Sequence, residues 1–268
     1  MTAKEGPSQK ADAGAWLMVG VLTLAYTVSF IDRQVLNLLV GPLKQAFALS
    51  DTRLSLLQGV AFTAAYVLFS APFGRLADTS NRRGILIFGV ILWSIATAFC
   101  GLARNYLQLF AARFGVGGAE ASLTPAAWSM IADRFPPSAI PRAFSIFMMG
   151  PYLGGGLALI FGGLLLEAAE RWKIGSLEPW QFVFIMAALP GAVIALLLAV
   201  CIREPVRQSA VGAGDEGPMS LGEVWQRFRS ERRFYVNFYG GMSGLVISLY
   251  AFPAWMPALL MRRFDASA

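Results

Sequence analysis

The sequence contains no histidine and only two cysteines, Cys100 and Cys201. Without imidazoles, any proton exchange near neutral pH falls to carboxylates whose pKa values are set by their surroundings. The two cysteines sit near the ends of separate apolar runs that the topology below places at opposite membrane faces. That separation argues against a disulfide, and no metal site is expected from them. There is no nucleophile elbow. The glycines at 154–156 lie within an apolar run with no Gly-Lys-Ser/Thr after them, so they are not a phosphate cradle. These absences disfavour a membrane-embedded enzyme, and no cofactor is implied. Charge is scarce too, at 14% of residues where soluble domains carry about 25%.

Apolar sequence takes its place. Hydrophobic residues make up 56% of the chain, and the mean hydropathy is +0.58. A membrane-crossing helix needs about 20 mostly apolar residues, because each adds about 1.5 Å across a hydrocarbon core about 30 Å thick. Stretches 54–74, 84–103, 143–166, 179–202 and 234–261 reach that length without a charge. Stretches 14–42 and 105–132 reach it with isolated charges. The first run is too long for a cleaved signal peptide and lacks a suitably placed small-residue cleavage site. The expectation is an all-α membrane protein with seven spans.

Lysine and arginine concentrate at alternate connections, at Arg75, Arg82, Arg83, Arg134, Arg142 and Arg203. That bias places the N-terminus and these connections in the cytoplasm, with Arg262 and Arg263 against the trend. The same bias accounts for the pI near 9.6 without nucleic acid. The chain then divides into a cytoplasmic tail at 1–13, a six-helix bundle at 14–203, a cytoplasmic linker at 204–233 and a seventh span at 234–268. The linker holds a flexible GAGDEGP stretch at 212–218 and a candidate amphipathic surface helix at 221–229. A lone odd span at the end of the chain suggests a truncated record.

Four charges lie inside spans: Asp32, Arg33, Arg113 and Glu120. Each costs a few kcal/mol near the bilayer centre unless it faces a partner or a watery cavity. Arg113, Gly117, Glu120, Thr124 and Trp128 recur at helical spacing and share one face. Asp32 and Arg113 fall at similar depth on antiparallel helices, so an ion pair between them is geometrically possible. Glu120 lies two turns deeper, and Arg33 points about 100° around the helix from Asp32. The functional reading is a buried proton and substrate site, and the plain alternative is a static charge cluster that locks the bundle.

The segment GRLADTSNRRG at 74–84 carries a glycine, a spaced aspartate and a basic pair on a tight turn. Gly74, Asp78, Arg82 and Arg83 resemble the loop signature of the major facilitator superfamily, with Thr79 and Asn81 departing from it. The fourth span, with Arg113, close glycines, Glu120-Ala121 and Pro125-Ala126, resembles the anion:cation symporter and spinster-like branches. Asp32-Arg33 in the first span also looks spinster-like. Gly150, Pro151, Gly154 and Gly155 resemble a Gly-Pro…Gly-Gly packing motif best known from antiporters, in which small residues allow close helix approach.

That resemblance implies a major facilitator-type N-terminal six-helix bundle plus one helix of a second bundle. It implies a secondary active transporter in a bacterial inner or equivalent membrane, moving an anionic or amphipathic small molecule with protons. Asp32 and Glu120 are the expected proton-coupling residues, and Arg33, Arg113 and Thr124 the expected substrate contacts. The 74–84 loop is the expected conformational switch. The missing C-terminal bundle would be needed for a complete transporter. Symport is the preferred direction, with antiport open; a non-transporting sensor on the same fold and an inactive fragment are the alternatives.

Overall fold

The computed structural model describes residues 12–172, 177–207 and 221–264. Most of the 1–13 tail and all of the 212–218 linker stretch therefore fall outside the described residues. The chain divides into two compact units, Met1–Gly214 and Asp215–Ala268. Among the described residues every regular element is a helix.

In the first unit, α1 (Ala13–Leu38) begins where the Asp12 carboxylate accepts from the Ala15 amide at 2.8 Å. It gives way at Leu39 to α2 (Val40–Phe47). The second crossing is continuous through α3 (Asp51–Ser55), a π turn (Leu56–Val60) and α4 (Ala61–Thr79). Asn81 then caps α5 (Arg82–Gly101), accepting from Gly84 at 2.8 Å. Asn105 caps α6 (Tyr106–Glu120) in the same way through Gln108. There follow α7 (Leu123–Arg134), α8 (Ile140–Phe147), α9 (Gly150–Trp172) and α10 (Pro179–Cys201).

Proline explains the interruptions. Pro42, Pro125 and Pro151 lack the amide hydrogen that would bond the carbonyls of Leu38, Ala121 and Phe147, four residues earlier. Those are the positions where α1, α6 and α8 stop. Pro72 and Pro190 are accommodated inside α4 and α10.

Among the described residues, five helical stretches are long and apolar enough to cross a membrane: Ala13–Leu38, Asp51–Thr79, Arg82–Gly101, Ile140–Ala169 and Pro179–Cys201. The expected fourth span is delivered by α6 and α7 in succession, either of which is too short alone. The described residues thus form an all-α membrane protein, with six crossings in the first unit and the long α-helix Arg232–Phe264 in the second.

Small residues set the closest contacts of the bundle, as membrane helix packing requires. The main partners are α1 with α9 and α10, α5 with α10 and α6, and α4 with α6. A β-carbon at Gly150 would lie 2.9 Å from Tyr26 Cβ and 3.1 Å from the Thr23 carbonyl oxygen. At Gly154 it would overlap the Thr27 carbonyl, and at Gly117 that of Phe62. Apolar side chains such as Val67, Phe88, Leu107 and Val200 are left on the outside, where lipid is the natural solvent.

In the second unit, α11 (Leu221–Ser230) is the helix expected at 221–229. It meets the 33-residue α12 (Arg232–Phe264) across a single residue, Glu231.

Candidate functional site

Three of the four intramembrane charges, Asp32, Arg113 and Glu120, are almost wholly buried. Arg33 keeps 22% of its side chain exposed. Their pairing differs from the expected one. Arg33 Nε binds Glu120 Oε2 at 2.7 Å. Asp32 and Arg113 form no side-chain ion pair; instead Arg113 Nη1 donates to the Asp32 backbone carbonyl at 3.3 Å.

The direction in which side chains lean accounts for this. In a helix the Cα–Cβ bond tilts toward the N-terminus. On antiparallel α1 and α6 that tilt carries Asp32 and Arg113 away from each other. The same tilt brings Arg33 and Glu120 together, although their backbones lie at different depths. Arg33 also has the reach to close the remaining gap.

Several side chains that sequence reading did not single out complete the site. Ser29, one turn before Arg33, donates to Glu120 Oε2 at 2.7 Å, and Arg33 Nη2 reaches Ser29 Oγ at 3.4 Å. The Arg33 guanidinium lies 4.6 Å from the ring centres of both Phe30 and Phe62 and 5.1 Å from that of Tyr66. Phe62 also has Arg113 at 5.6 Å, so one ring serves two cations. Thr97 on α5 donates to Asp32 Oδ2 at 3.2 Å. Thr124 shares a hydrogen bond of 3.2 Å with the Tyr66 hydroxyl. The available signal was the i, i+4 spacing of Phe62 and Tyr66 on the span facing the first.

Polar capacity is left over. Asp32 Oδ1, Glu120 Oε1 and Arg113 Nε are buried and meet no hydrogen-bond partner among the described residues. Such atoms are costly in a low-dielectric interior. Both carboxyl groups thus have an oxygen able to carry a proton without displacing an existing hydrogen bond. The expected stripe on the fourth span is real over Arg113, Gly117 and Glu120, which are buried. It then opens outward: Thr124 is half-buried and Trp128 exposed.

The 74–84 segment is less of a loop than expected. Gly74 and Asp78 belong to α4, and only Ser80 and Asn81 separate it from α5. Arg82 is buried and anchors a clasp: it pairs with Asp133 and with Glu204 (2.7 Å), and donates to Ser129 Oγ and the Pro205 carbonyl, each at 2.8 Å. The Arg83 amide donates to Glu204 Oε2 at 2.8 Å, and its side chain reaches the carbonyls of Leu198 and Ala199 at the end of α10. Arg207 takes the carbonyls of Ala77, Asp78 and Ser80 at the end of α4. Asp133, Glu204 and Arg207 complete this clasp, and the sequence alone gave none of them a site role.

The fifth-span motif splits by role. Gly150 and Gly154 press against α1, whereas at Gly155 the nearest neighbour of a β-carbon would be Gln34 Nε2 at 3.8 Å. Pro151 is half-buried and follows the α8–α9 break. Both cysteines are free, Cys100 buried and Cys201 exposed.

Over residues 22–268 the sequence matches the profile of the Major Facilitator Superfamily. It is similar to an MFS-type efflux pump of Mycolicibacterium smegmatis, 28% identical over 248 residues that cover 92% of this chain and 55% of that protein. It is also similar to the sphingosine-1-phosphate transporter SPNS2 of Danio rerio, 25% identical over 248 residues, covering 91% and 47%. Among solved structures it resembles a bacterial homologue of the human lysosomal transporter spinster in an inward-facing, unoccupied conformation. There the TM-score is 0.77 at 32% identity, covering 96% of this chain and 57% of that one. The chain spans about half the length of the curated relatives it matches.

Proposed function

The chain belongs to the major facilitator superfamily, with spinster-like relatives, and from that membership we propose that it forms the N-terminal half of a proton-coupled secondary transporter for an amphipathic organic anion. The observation that carries this reading is the Arg33–Glu120 pair at 2.7 Å. Arg33, held among three rings, needs a negative partner. The Glu120 carboxylate supplies it when the site is empty. Protonation of Glu120 on its unpartnered oxygen releases Arg33 to meet a substrate anion. Substrate and proton then bind together, which is the linkage symport requires. Arg113 adds positive charge to the same site, Thr124 a hydroxyl, and Asp32 a second proton-carrying group.

The Danio rerio relative is named for sphingosine-1-phosphate, an amphipathic phosphate. A ligand of that class suits guanidinium groups beside aromatic surface. Alternating access in this fold uses both bundles around a midplane cavity, so the second bundle is a required partner. The Arg82 clasp and the 74–84 segment serve as the switch at the cytoplasmic face. The N-terminus lies in the cytoplasm of a bacterial inner or equivalent membrane, and the 14–203, 204–233 and 234–268 divisions are those of bundle, linker and second-bundle start.

Antiport is the second reading. A cationic substrate would compete with the proton for Glu120 rather than bind beside it. The Mycolicibacterium smegmatis efflux pump and the Gly150–Gly155 packing motif favour it. Reconstitution of the complete transporter in liposomes loaded with a pH dye separates the two. Symport is expected to acidify the lumen when sphingosine-1-phosphate is added outside, and antiport to alkalinise it when an organic cation enters. Uptake without any pH change overturns proton coupling.

A further inference from the structure

We propose that α11 is an interfacial helix that docks on anionic lipid headgroups beside the start of α12. Leu221, Val224, Trp225 and Phe228 recur at i, i+3, i+4 and i+7, the spacing of one helix face. Trp225 is 70% exposed and Phe228 39%. Gln226, Arg227, Arg229 and Ser230 fill the remainder of the last two turns. A basic helix with tryptophan, phenylalanine and leucine on its other side has the composition of a segment lying in the membrane interface.

Continuity with α12 fixes the depth. Arg232 and Arg233 immediately precede its exposed apolar residues, which include Phe234, Val236, Phe238, Met242 and Leu245. A helix with that surface crosses lipid, so its basic end stands at the headgroups. One residue, Glu231, separates that end from α11. The joint is ordered: Phe228 and Tyr235 pack with ring centres 4.2 Å apart, and Arg227 reaches Glu231 at 3.6 Å. Ten residues at about 1.5 Å each would hold Trp225 and Val224 in water if α11 pointed off the membrane. Lying on the surface, the helix buries them and sets its arginines among phosphates.

Charge chooses the occupant. Four arginines against two glutamates over residues 221–233 leave a net positive segment, suited to an anionic leaflet rather than a neutral one. Lipid headgroups at this point would act on the connection that leads into α12, so the proposal does not rest on the identity of the substrate.

The test uses the full chain with Cys100→Ser and Cys201→Ser, carrying a nitroxide on a cysteine at position 225 or 226. Vesicles are of phosphatidylcholine alone or of equal parts phosphatidylcholine and phosphatidylglycerol. The label at 225 should collide with oxygen dissolved in lipid and be shielded from a water-soluble nickel chelate, while the label at 226 meets the chelate. Removing phosphatidylglycerol, or substituting Arg227→Gln, should raise the water-exposed population at 225 about fivefold per charge lost. Chelate access at 225 in both vesicles, shielding from both collision partners, or indifference to lipid charge would each overturn the proposal. A shielded label would mean that protein, not lipid, covers this face. Quenching by headgroup-brominated lipid, taken as the difference between the unlabelled chain and Trp225→Phe, gives the same answer without a label.

Discussion

Gly117 of α6 sits directly beneath Phe62 of α4, so close that a β-carbon there would overlap the Phe62 carbonyl oxygen. The contact does more than pack two helices. Phe62 is the ring that faces both Arg33 and Arg113, and Gly117 sets how near that ring comes to the charges on α6.

Gly117→Val should therefore cost about 1–3 kcal/mol of stability, because backbone, not a flexible side chain, must move. It should also weaken substrate binding by shifting Phe62 off the guanidinium groups. Thermal unfolding in detergent, together with affinity for the proposed anionic substrate, checks both. Unchanged stability would show that α4 and α6 separate easily at this point.

The Arg33–Glu120 pair makes a second prediction. Removing one member leaves an uncompensated charge in a low-dielectric bundle, at about 3–5 kcal/mol, whereas removing both for apolar residues is often neutral. Glu120→Leu should destabilise strongly, since it strands Arg33. Arg33→Leu/Glu120→Leu should recover most of the loss while transport stays abolished. A double-mutant cycle on melting temperature and uptake separates a working pair from a structural lock. Uptake surviving in the double variant would sink the transport role. By the same coupling argument, Asp32→Asn and Glu120→Gln should each abolish proton-driven uptake at normal expression.

Much of this was legible in the sequence, and the misses have physical causes. Apolar run lengths located the spans but not the breaks at Pro42, Pro125 and Pro151, because a proline can be either accommodated in a helix or end it. The four intramembrane charges stood out because charge is rare in lipid. Their partners did not, since depth along a helix says nothing of the lean of side chains toward the N-terminus, which exchanges Asp32–Arg113 for Arg33–Glu120. The aromatic enclosure was hidden for the opposite reason: with 13% aromatic residues, Phe62 and Tyr66 look like any lipid-facing pair. Arg82 was visible as half of a basic pair. Glu204, more than a hundred residues away, became its partner only when α10 returned beside α5.

The clasp at Arg82 should be far more sensitive than its neighbour Arg207. Arg82 is buried with two carboxylates, a hydroxyl and a carbonyl around it, so Arg82→Ala breaks a buried ion pair together with its supporting hydrogen bonds and should cost about 3–5 kcal/mol. Arg207 is half-buried and, among the described residues, bonds backbone carbonyls. Arg207→Ala should cost about 0.5–1.5 kcal/mol, the net value of ordinary hydrogen bonds. Chemical unfolding of the two variants, side by side in one detergent, ranks them. Equal losses would remove Arg82 from its central place.

The fifth span offers the sharpest contrast, because its glycines share a sequence but not an environment. At Gly154 a β-carbon would strike the Thr27 carbonyl, and Phe30 Cβ lies 2.6 Å away. At Gly156 it would meet nothing within 4 Å. Gly156→Ala should then stabilise the helix by about 0.5–1 kcal/mol through the usual propensity difference. Gly154→Ala gains the same propensity but must push α9 away from α1, and should lose about 1–3 kcal/mol net. Phe30 packs on Arg33, so only the second substitution should also disturb the charge site. Melting temperatures of the two alanine variants, with anion affinity measured on each, test whether α1 and α9 are held at the distance glycine sets. Matching behaviour would place the importance of this motif in bending at Pro151 rather than in close approach.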